Sequence, residues 1–322
     1  MAVRDAVKPL PEWKGEEEDM AEESRGQRGQ EKAAGSGPER ATSVPVVPER
    51  EARGAVMPAL GFGTWDLGGE EATAMVEAAL EMGYRHLDTA EHYGNDDAVA
   101  RGWESSGIPR RELFITSKVW QSHFEPMEFK GAVEATLERL RTDYLDLLLL
   151  HWPVFQDTDL EAAVERLNAM QDEKLTRHIG VSNFTTDHLD RAWSATTYPL
   201  ITNQVEYHPF LDQGKLRDDL ADREMILTAY CPVARGRTAR SDVLREIGEA
   251  HGKTGPQVAL RWLLQQDAVP IPRTSDPEHA RENLAVFDFS LSRDEMDRIG
   301  ALHDPDGRII DPKRAPDWDG GG

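Results

Sequence analysis

The feature that most constrains the fold of this chain is one pattern that occurs eight times in succession. Each occurrence is a short apolar run, a polar loop and a stretch with apolar residues at helical spacing. The strand-like runs cover residues 59–65, 85–89, 113–120, 144–152, 177–184, 200–207, 225–233 and 268–273. Eight such units over about 250 residues are typical of a (β/α)8 barrel, and the continuous "LDLLLL" favours a parallel strand covered on both faces. We therefore predict an α/β fold, a (β/α)8 TIM barrel in a single domain.

A doubly wound parallel sheet is the structural alternative for the same alternation. Such a sheet normally opens with a Gly-x-Gly-x-x-Gly turn between its first strand and its first helix. Here "LGFGTW" supplies only Gly61 and Gly63, within the strand itself, and no third glycine begins a helix. The sequence therefore favours the closed barrel.

The first 42 residues differ in composition from the rest of the chain. They mix charged residues with Gly, Ser and Gln and contain few aliphatic residues, so they cannot bury enough apolar surface to offset their ordering entropy. We predict a disordered acidic and polar tail over 1–42 and the barrel over 43–322.

The charge balance excludes two classes of partner. The formal net charge is -22, from 59 acidic and 37 basic residues, which disfavours attraction to nucleic acid or to an anionic membrane surface. Only nine of the 37 basic residues are lysine. An acid-rich, lysine-poor composition predicts a chain kept soluble in concentrated salt, from a halophilic source.

The single cysteine, Cys231, leaves no possibility of an internal disulfide or of a thiolate metal cluster within one chain. No apolar run approaches the roughly 18 residues of a membrane span, and the N-terminus is polar. We expect a cytoplasmic protein.

Polar side chains end most of the strand-like runs. Because the carboxyl ends of barrel strands converge on one mouth, we expect these side chains to face each other. They are Asp88 with Tyr93, Lys118, His151, Ser182, Asn183, Gln204, Tyr230 and Arg273.

Four of these residues combine into a proton-donating group. A phenol has a pKa of about 10, and an adjacent ammonium lowers it, so Lys118 is predicted to make Tyr93 a better acid. Asp88 would hold the lysine, and His151 could align a substrate oxygen against Tyr93. Protonation of a carbonyl oxygen is useful only if something attacks its carbon. Since the mouth offers no protein nucleophile, a hydride from a bound nicotinamide is the natural partner.

Seven motifs make the chain recognisable. It resembles the aldo-keto reductase family over residues 45–300, through "MPALGFGTW", "LDTAEHYGN", "ITSKVW", "LLLLHWP", "IGVSNF", "NQVEYHP" and "IPRTSDPEHARENL". The resemblance is to short prokaryotic members, of a haloarchaeal type. It implies a single-chain barrel that binds NADPH without a Rossmann domain and reduces an aldehyde, a ketone, a keto sugar or a keto ester.

The resemblance also implies roles for individual residues. The catalytic tetrad would be Asp88, Tyr93, Lys118 and His151. Ser182, Asn183 and Gln204 would hold the carboxamide of the cofactor, and Tyr230 would stack on the nicotinamide ring. The adenosine phosphate would be bound by Arg273, Thr274, His279 and Asn283, and the substrate pocket would be lined by Trp65, Trp120 and Trp152.

Two departures from the family pattern concern the cofactor. Arg273, Thr274 and His279 stand where the family usually has Lys, Ser and Arg, and an imidazole binds a phosphate less strongly than a guanidinium does. NADPH is therefore the expected cofactor, and NADH is also possible. Cys231 replaces a usual serine near the pyrophosphate, where its weakly hydrogen-bonding thiol should loosen the contact.

Two alternatives remain open at this stage. One is a metal hydrolase on the same barrel, with His86, His92, Asp88 and His151 as candidate ligands. No His-x-His pair supplies the metal ligands on the first strand, so we assign no metal site. The second alternative is a regulatory barrel that binds the nicotinamide but catalyses little. The intact tetrad favours the reductase.

Overall fold

A computed structural model describes residues 46–153, 159–313 and 315–319. The predicted tail, residues 1–42, lies outside these ranges, so it stays a prediction. Ten strands are present in the described part of the chain, and the last eight form one parallel sheet in chain order. The strands are β1 Glu49–Ala52, β2 Ala55–Pro58, β3 Phe62–Gly63, β4 His86–Asp88, β5 Phe114–Val119, β6 Leu145–Leu150, β7 Thr176–Ser182, β8 Leu200–Glu206, β9 Ile226–Tyr230 and β10 Val269–Pro270.

Backbone hydrogen bonds join the two ends of this sheet. Gly61 N donates to Pro270 O at 3.0 Å and Gly63 N donates to Pro272 O at 3.1 Å. The segment around β3 therefore pairs with the segment around β10, the other end of the sheet. A Cβ on Gly61 would lie 2.7 Å from His86 Nδ1, which leaves no space for a side chain at this seam. The predicted closed barrel is confirmed.

Eight of the helices in the described ranges lie between barrel strands along the chain, and the last two follow β10. They are α1 Gly69–Met82, α2 Asp96–Ser105, α3 Pro126–Leu140, α4 Leu160–Asp172, α5 Thr186–Ala195, α6 Gly214–Asp222, α7 Asp242–His251, α8 Gly255–Leu264, α9 Pro277–Leu284 and α10 Arg293–Gly300. Short 3-10 segments cover Glu91–Tyr93, Arg110–Glu112, Gln121–His123 and Ala234–Arg240. In the described ranges, no helix is both long and apolar enough to cross a membrane.

Local sequence signals set the helix ends. Thr254 caps α8 in a reciprocal capping box with Gln257, and a proline follows in the first turn. Gly83 caps the carboxyl-terminal end of α1 with φ 119°, a conformation that a side chain rarely permits. These caps satisfy backbone groups that the helices themselves leave unpaired.

The buried apolar side chains of the described ranges form three clusters, and the two larger ones are layers of the barrel. The larger layer lies between strands and helices and contains outward-facing strand residues such as Leu148 and Leu150. The smaller layer fills the lower barrel, where Leu147 and Leu149 of β6 pack with Ala52 and Met57 of the β1–β2 hairpin. The hairpin therefore fills the amino-terminal end of the barrel with apolar groups.

Candidate active site

Asp88 and Lys118 form a buried ion pair at the carboxyl ends of β4 and β5. Lys118 Nζ lies 2.6 Å from Asp88 Oδ1 and also donates to the backbone oxygen of Thr89 at 2.8 Å. The two side chains are 2% and 0% exposed. Burial lowers the pKa of the Lys118 ammonium, but its interactions with Asp88 and Tyr93 outweigh that effect and raise the pKa above its usual value. The ammonium therefore stays charged at neutral pH.

Tyr93 ends the 3-10 turn after β4, and Lys118 Nζ donates to its hydroxyl at 3.2 Å. Burial raises the pKa of the Tyr93 phenol above its usual value; Lys118 opposes this rise and Asp88 adds to it. The sequence argument predicted a lowered pKa. That sign is wrong because burial raises the pKa of the phenol by more than the Lys118 ammonium lowers it. The phenol is held in the protonated form that a proton donor needs.

His151 follows β6 and faces Tyr93, with ring centres 5.8 Å apart at an angle of 75°. Its backbone N–H donates to Val119 O at 3.0 Å, which fixes its position at the strand end. Burial lowers the pKa of the imidazole well below its usual value, and the positive charges of Lys118 and His92 add to this effect. Nδ1 is buried, and it has no hydrogen-bond partner in the described ranges. A neutral imidazole that retains its donor and acceptor capacity thus borders the mouth.

Ser182, Asn183 and Tyr230 form one hydrogen-bonded group at the ends of β7 and β9. Ser182 Oγ donates to Gln204 O at 2.8 Å, and Tyr230 OH donates to Asn183 Oδ1 at 2.8 Å. Asn183 Nδ2 donates to His151 O at 3.0 Å. Asn183 adopts φ 62°, the left-handed region that Asn tolerates better than most residues. The residues expected at the carboxamide therefore lie together beside the tetrad.

The three tryptophans expected in the substrate pocket differ in position. Trp120 stacks on His92, with ring centres 3.9 Å apart and planes within 7°, and meets the ring of His151 edge-on at 5.0 Å. Trp152 is 5% exposed, whereas Trp65 is 37% exposed. Trp120 therefore contacts His151 of the tetrad directly, Trp152 is buried, and Trp65 lies at the surface.

The residues expected at the adenosine phosphate lie in and before the first turns of α9. Arg273 Nε donates to Trp65 O at 3.0 Å, and Nη2 lies 3.3 Å from Asp66 Oδ2. Thr274 Oγ1 accepts from Asp276 N at 3.0 Å. The Arg273 guanidinium is thus held by the loop after β3.

His279 and Asn283 lie one turn apart on α9. The His279 side chain is 64% exposed, with Nδ1 4.0 Å from Asp276 Oδ2, and Asn283 is buried. Asp276 also caps the helix through Glu278 N at 2.8 Å. Its carboxylate opposes an anion at this helix end, which weakens the electrostatic attraction that Arg273 provides.

The carboxyl-terminal segment is a part of the mouth that the sequence reasoning missed. Glu206, fully buried at the end of β8, accepts from Ile309 N and Ile310 N, both at 2.7 Å. Trp318 of the same segment packs against Trp152, with ring centres 6.2 Å apart. The available signal was Glu206 itself, a carboxylate at the end of an apolar run.

The metal-site alternative gains no support from the described residues. His86 Nε2 lies 3.0 Å from Thr116 Oγ1 inside the barrel, whereas His92 stacks on Trp120 at the mouth. In residues 46–153, 159–313 and 315–319, no cluster of three or more His, Cys, Asp or Glu could hold a metal ion.

The side chains at the mouth fit a nicotinamide. Tyr230 is only half-buried, which leaves part of its ring open to a partner. Gln204 uses Nε2 in a hydrogen bond, and its Oε1 makes none to a described residue, so an acceptor remains for an amide N–H. Burial raises the pKa of the Cys231 thiol to about 12, so it is a neutral, weak donor next to Tyr230.

Comparisons with known proteins identify the family of this chain. A family model described as "Aldo/keto reductase family" matches residues 59–304. The glyoxal reductase of Bacillus subtilis is 42% identical over 254 residues, which are 78% of this chain and 90% of that protein. The methylglyoxal reductase DkgA of Salmonella typhimurium is 37% identical over 270 residues, 83% of this chain and 96% of that protein.

Solved structures give the same result. A protein with the provisional name 2,5-diketo-D-gluconic acid reductase B is 42% identical with a TM-score of 0.84, covering 85% of this chain and 98% of its own. The aldose reductase from Schistosoma japonicum is 31% identical with a TM-score of 0.76, covering 82% of this chain and 96% of its own. The chain therefore belongs to the aldo/keto reductase family and is an oxidoreductase that acts on carbonyl groups.

Proposed function

We propose that this protein uses NADPH to reduce the carbonyl group of an aldehyde, ketone, keto sugar or keto ester to an alcohol, with Tyr93 as the general acid. The observation that carries the proposal is the continuous contact from Asp88 through Lys118 to the Tyr93 hydroxyl, at 2.6 and 3.2 Å. A buried ion pair in contact with a phenol is costly to assemble for stability alone.

The cofactor would be held by two groups of residues. Ser182, Asn183 and Gln204 would bind the carboxamide and Tyr230 would stack on the ring, because they lie together beside the tetrad. At the other end, the adenosine phosphate would be bound by Arg273, Thr274, His279 and Asn283. When bound, the reduced nicotinamide supplies the hydride that attacks the carbonyl carbon.

The chain's own residues manage the proton. Tyr93 donates its hydroxyl proton to the carbonyl oxygen as negative charge develops there. The resulting phenolate is stabilised by the Lys118 ammonium, which Asp88 holds in place. His151, neutral in this environment, orients the same oxygen through a hydrogen bond. All four side chains come from one chain, so the reaction needs no second copy.

The first substrates to test are small dicarbonyls. Two of the relatives are named for glyoxal and methylglyoxal, and an edge of Trp120 lies beside His151 where such a molecule would rest. Trp65 and Trp152 would complete the pocket wall for larger carbonyl compounds.

Tyr93→Phe separates catalysis from binding. We expect the variant to retain its fold and its NADPH affinity, measured by quenching of tryptophan fluorescence, while NADPH consumption with methylglyoxal falls by about 100-fold or more. Tyr144→Phe is the matched control, since Tyr144 lies between Arg110 and Arg177 and away from the tetrad. Unchanged turnover in Tyr93→Phe would eliminate the proposed acid. Binding of NADPH by the wild type without turnover of any carbonyl would favour the regulatory barrel instead.

A further inference from the structure

The loop after β3 holds the guanidinium that is expected at the adenosine phosphate. Arg273 Nε donates to Trp65 O at 3.0 Å, and Nη2 donates both to Asp66 O and, at 3.3 Å, to Asp66 Oδ2. Nη1 makes no hydrogen bond to any residue in the described ranges. Two parallel hydrogen bonds to an oxyanion need two neighbouring guanidinium nitrogens, so a phosphate has to share Nη2 with Asp66.

Closure of the barrel places Asp66 beside Arg273. Gly63 N donates to Pro272 O at 3.1 Å, so the segments around β3 and β10 run side by side. A Cβ on Gly63 would lie 3.0 Å from Ile271 O and 3.5 Å from Arg273 Cβ, which shows how closely the two segments approach. Asp66 then adopts φ 57°, in the left-handed region that Asp tolerates better than most residues. The contact between the two side chains therefore follows from the fold.

Two further carboxylates lie at the start of α9. Asp276 caps the helix by accepting from Glu278 N at 2.8 Å, and Glu278 lies in the first turn. The helix end attracts an anion, and these negative charges oppose that attraction. Among the described residues, only the Asp66 carboxylate forms an ion pair with Arg273. Asp66 is thus the acid that lies where it can compete with a phosphate for this guanidinium.

The ion pair contributes little to the stability of the fold. The side chains of Arg273 and Asp66 are 32% and 51% exposed, so solvent screens their attraction. A chain with a net charge of -22 already repels anions, and a carboxylate beside Arg273 makes a phosphate harder still to bind. The charge of Asp66 should therefore affect ligand binding more than folding.

We propose that Asp66 competes with the adenosine phosphate of NADPH for Arg273, and so weakens the preference for NADPH over NADH without abolishing it. The inference rests on the proposed cofactor and identifies a residue that sets its selectivity. NADPH has to draw the guanidinium away from the Asp66 carboxylate, whereas NADH carries no second phosphate. Asp66 therefore acts against one of the two cofactors only.

The first test uses nucleotides that lack the nicotinamide. Calorimetric titration compares 2',5'-ADP, which carries the second phosphate, with 5'-AMP, which does not. We expect Asp66→Asn to bind 2',5'-ADP about threefold to tenfold more tightly than the wild type does, and to bind 5'-AMP with unchanged affinity. Asn tolerates the left-handed φ of position 66 and has nearly the same shape as Asp, so the loop should be retained.

Asp267→Asn is the matched control. Asp267 also has a positive φ, 60°, and also pairs with an arginine, since Arg50 Nη2 lies 3.4 Å from its Oδ1. It precedes β10, whereas Arg273 follows that strand, so the control removes the same charge from the other end of the strand. Asp267→Asn should bind 2',5'-ADP as the wild type does. An equal gain in this variant would show that only the net charge of the chain matters, and would overturn the proposal.

A double variant tests whether the effect passes through Arg273. If Asp66 competes for the guanidinium, Asp66→Asn should give most of its gain only while Arg273 is present, so Asp66→Asn/Arg273→Ala should bind 2',5'-ADP little better than Arg273→Ala does. The full gain in the absence of Arg273 would show direct repulsion of the phosphate in place of competition.

Turnover separates this proposal from the function on which it rests. The ratio of kcat/KM with NADPH to kcat/KM with NADH should rise about threefold to tenfold in Asp66→Asn. Turnover with an unchanged ratio, or weaker binding of 2',5'-ADP by Asp66→Asn, would overturn the role of Asp66 alone. A wild type that binds neither 2',5'-ADP nor NADPH would reject the proposed cofactor itself.

Discussion

Gln204 on β8 donates a hydrogen bond from Nε2 to Asp88 Oδ2 at 2.7 Å, although the two residues are 116 positions apart in the sequence. The other carboxylate oxygen, Oδ1, is held by Lys118 at 2.6 Å. Because both oxygens are hydrogen-bonded in a buried site, the Asp88 carboxylate has a single orientation. That orientation holds the Lys118 ammonium in contact with the Tyr93 hydroxyl.

Removing one member of this pair should destabilise the fold. In Lys118→Met the Asp88 carboxylate would be buried without its counter-charge, and we expect unfolding to become easier by about 3–5 kcal/mol in urea titrations. The double variant Asp88→Asn/Lys118→Met should recover much of this loss because no unpaired charge remains. Both variants should be inactive, which separates the catalytic effect from the stability effect. A single variant as stable as the wild type would contradict the finding that the pair is buried.

The pH dependence of turnover should reflect the raised pKa of Tyr93. A general acid acts in its protonated form, so the rate persists below its pKa and is lost as the pH rises through it. Because burial raises the pKa of Tyr93 above the usual value of about 10, we expect kcat for methylglyoxal reduction to stay constant from mildly acidic pH to about pH 9. A fall in kcat centred near neutral pH would show that another group donates the proton.

The barrel could be predicted from the sequence because each strand carries its own signal. All eight predicted runs overlap a barrel strand, although β3 and β10 are only two residues long where runs 59–65 and 268–273 were expected to be strands. The β1–β2 hairpin was missed because four-residue strands with charged side chains give weak periodicity. Its signal was the turn at Arg53 and Gly54, which both adopt positive φ.

Parts of the site depend on packing that the sequence does not display. The sign of the Tyr93 pKa shift follows from burial, which a loop position did not indicate. Arg273 binds the loop that contains Asp66, 207 positions away, and no local pattern reveals that contact. Likewise the carboxyl-terminal segment has no periodic signal of its own, since the described residues 304–313 and 315–319 lack apolar periodicity. Its signal was Glu206, which accepts hydrogen bonds from Ile309 N and Ile310 N.

His86 should determine part of the acid sensitivity of the fold. Burial lowers its pKa from 6.5 to about 4, so the folded protein holds it neutral while the unfolded chain takes up a proton. Its contribution to stability is therefore complete above about pH 6.5 and is lost as the pH falls toward 4, by about 3 kcal/mol in total. In urea titrations from pH 7 to 4, His86→Gln should show a shallower loss of stability than the wild type. Parallel curves would show that His86 does not titrate in this range.

Concentrated salt should stabilise the protein, the behaviour expected if the source is halophilic. The net charge of -22 disfavours the compact state through self-repulsion, and exposed ion pairs such as Arg191–Glu161 contribute little to stability. Screening by salt should therefore stabilise the fold by weakening the repulsion more than it destabilises the fold by weakening the ion pairs. We expect the free energy of unfolding to rise between about 0.1 and 2 M KCl at neutral pH. The rise should shrink near pH 4.9, the isoelectric point, where little net charge remains to screen. A chain equally stable in dilute buffer would contradict the expectation.

Choice of cofactor tests the role of Arg273. We expect the wild type to prefer NADPH, and Arg273→Ala to lower kcat/KM with NADPH by about tenfold or more while NADH is little affected, because only NADPH carries the second phosphate. Arg281→Ala is the matched control: it removes a positive charge from α9, but Arg281 is exposed and lies 3.6 Å from Glu278. An equal loss of kcat/KM with NADPH and NADH would contradict recognition of the phosphate by Arg273. Since Arg273 Nε also donates to Trp65 O at 3.0 Å, such a result would show that Arg273 positions the loop after β3 and does not recognise the phosphate.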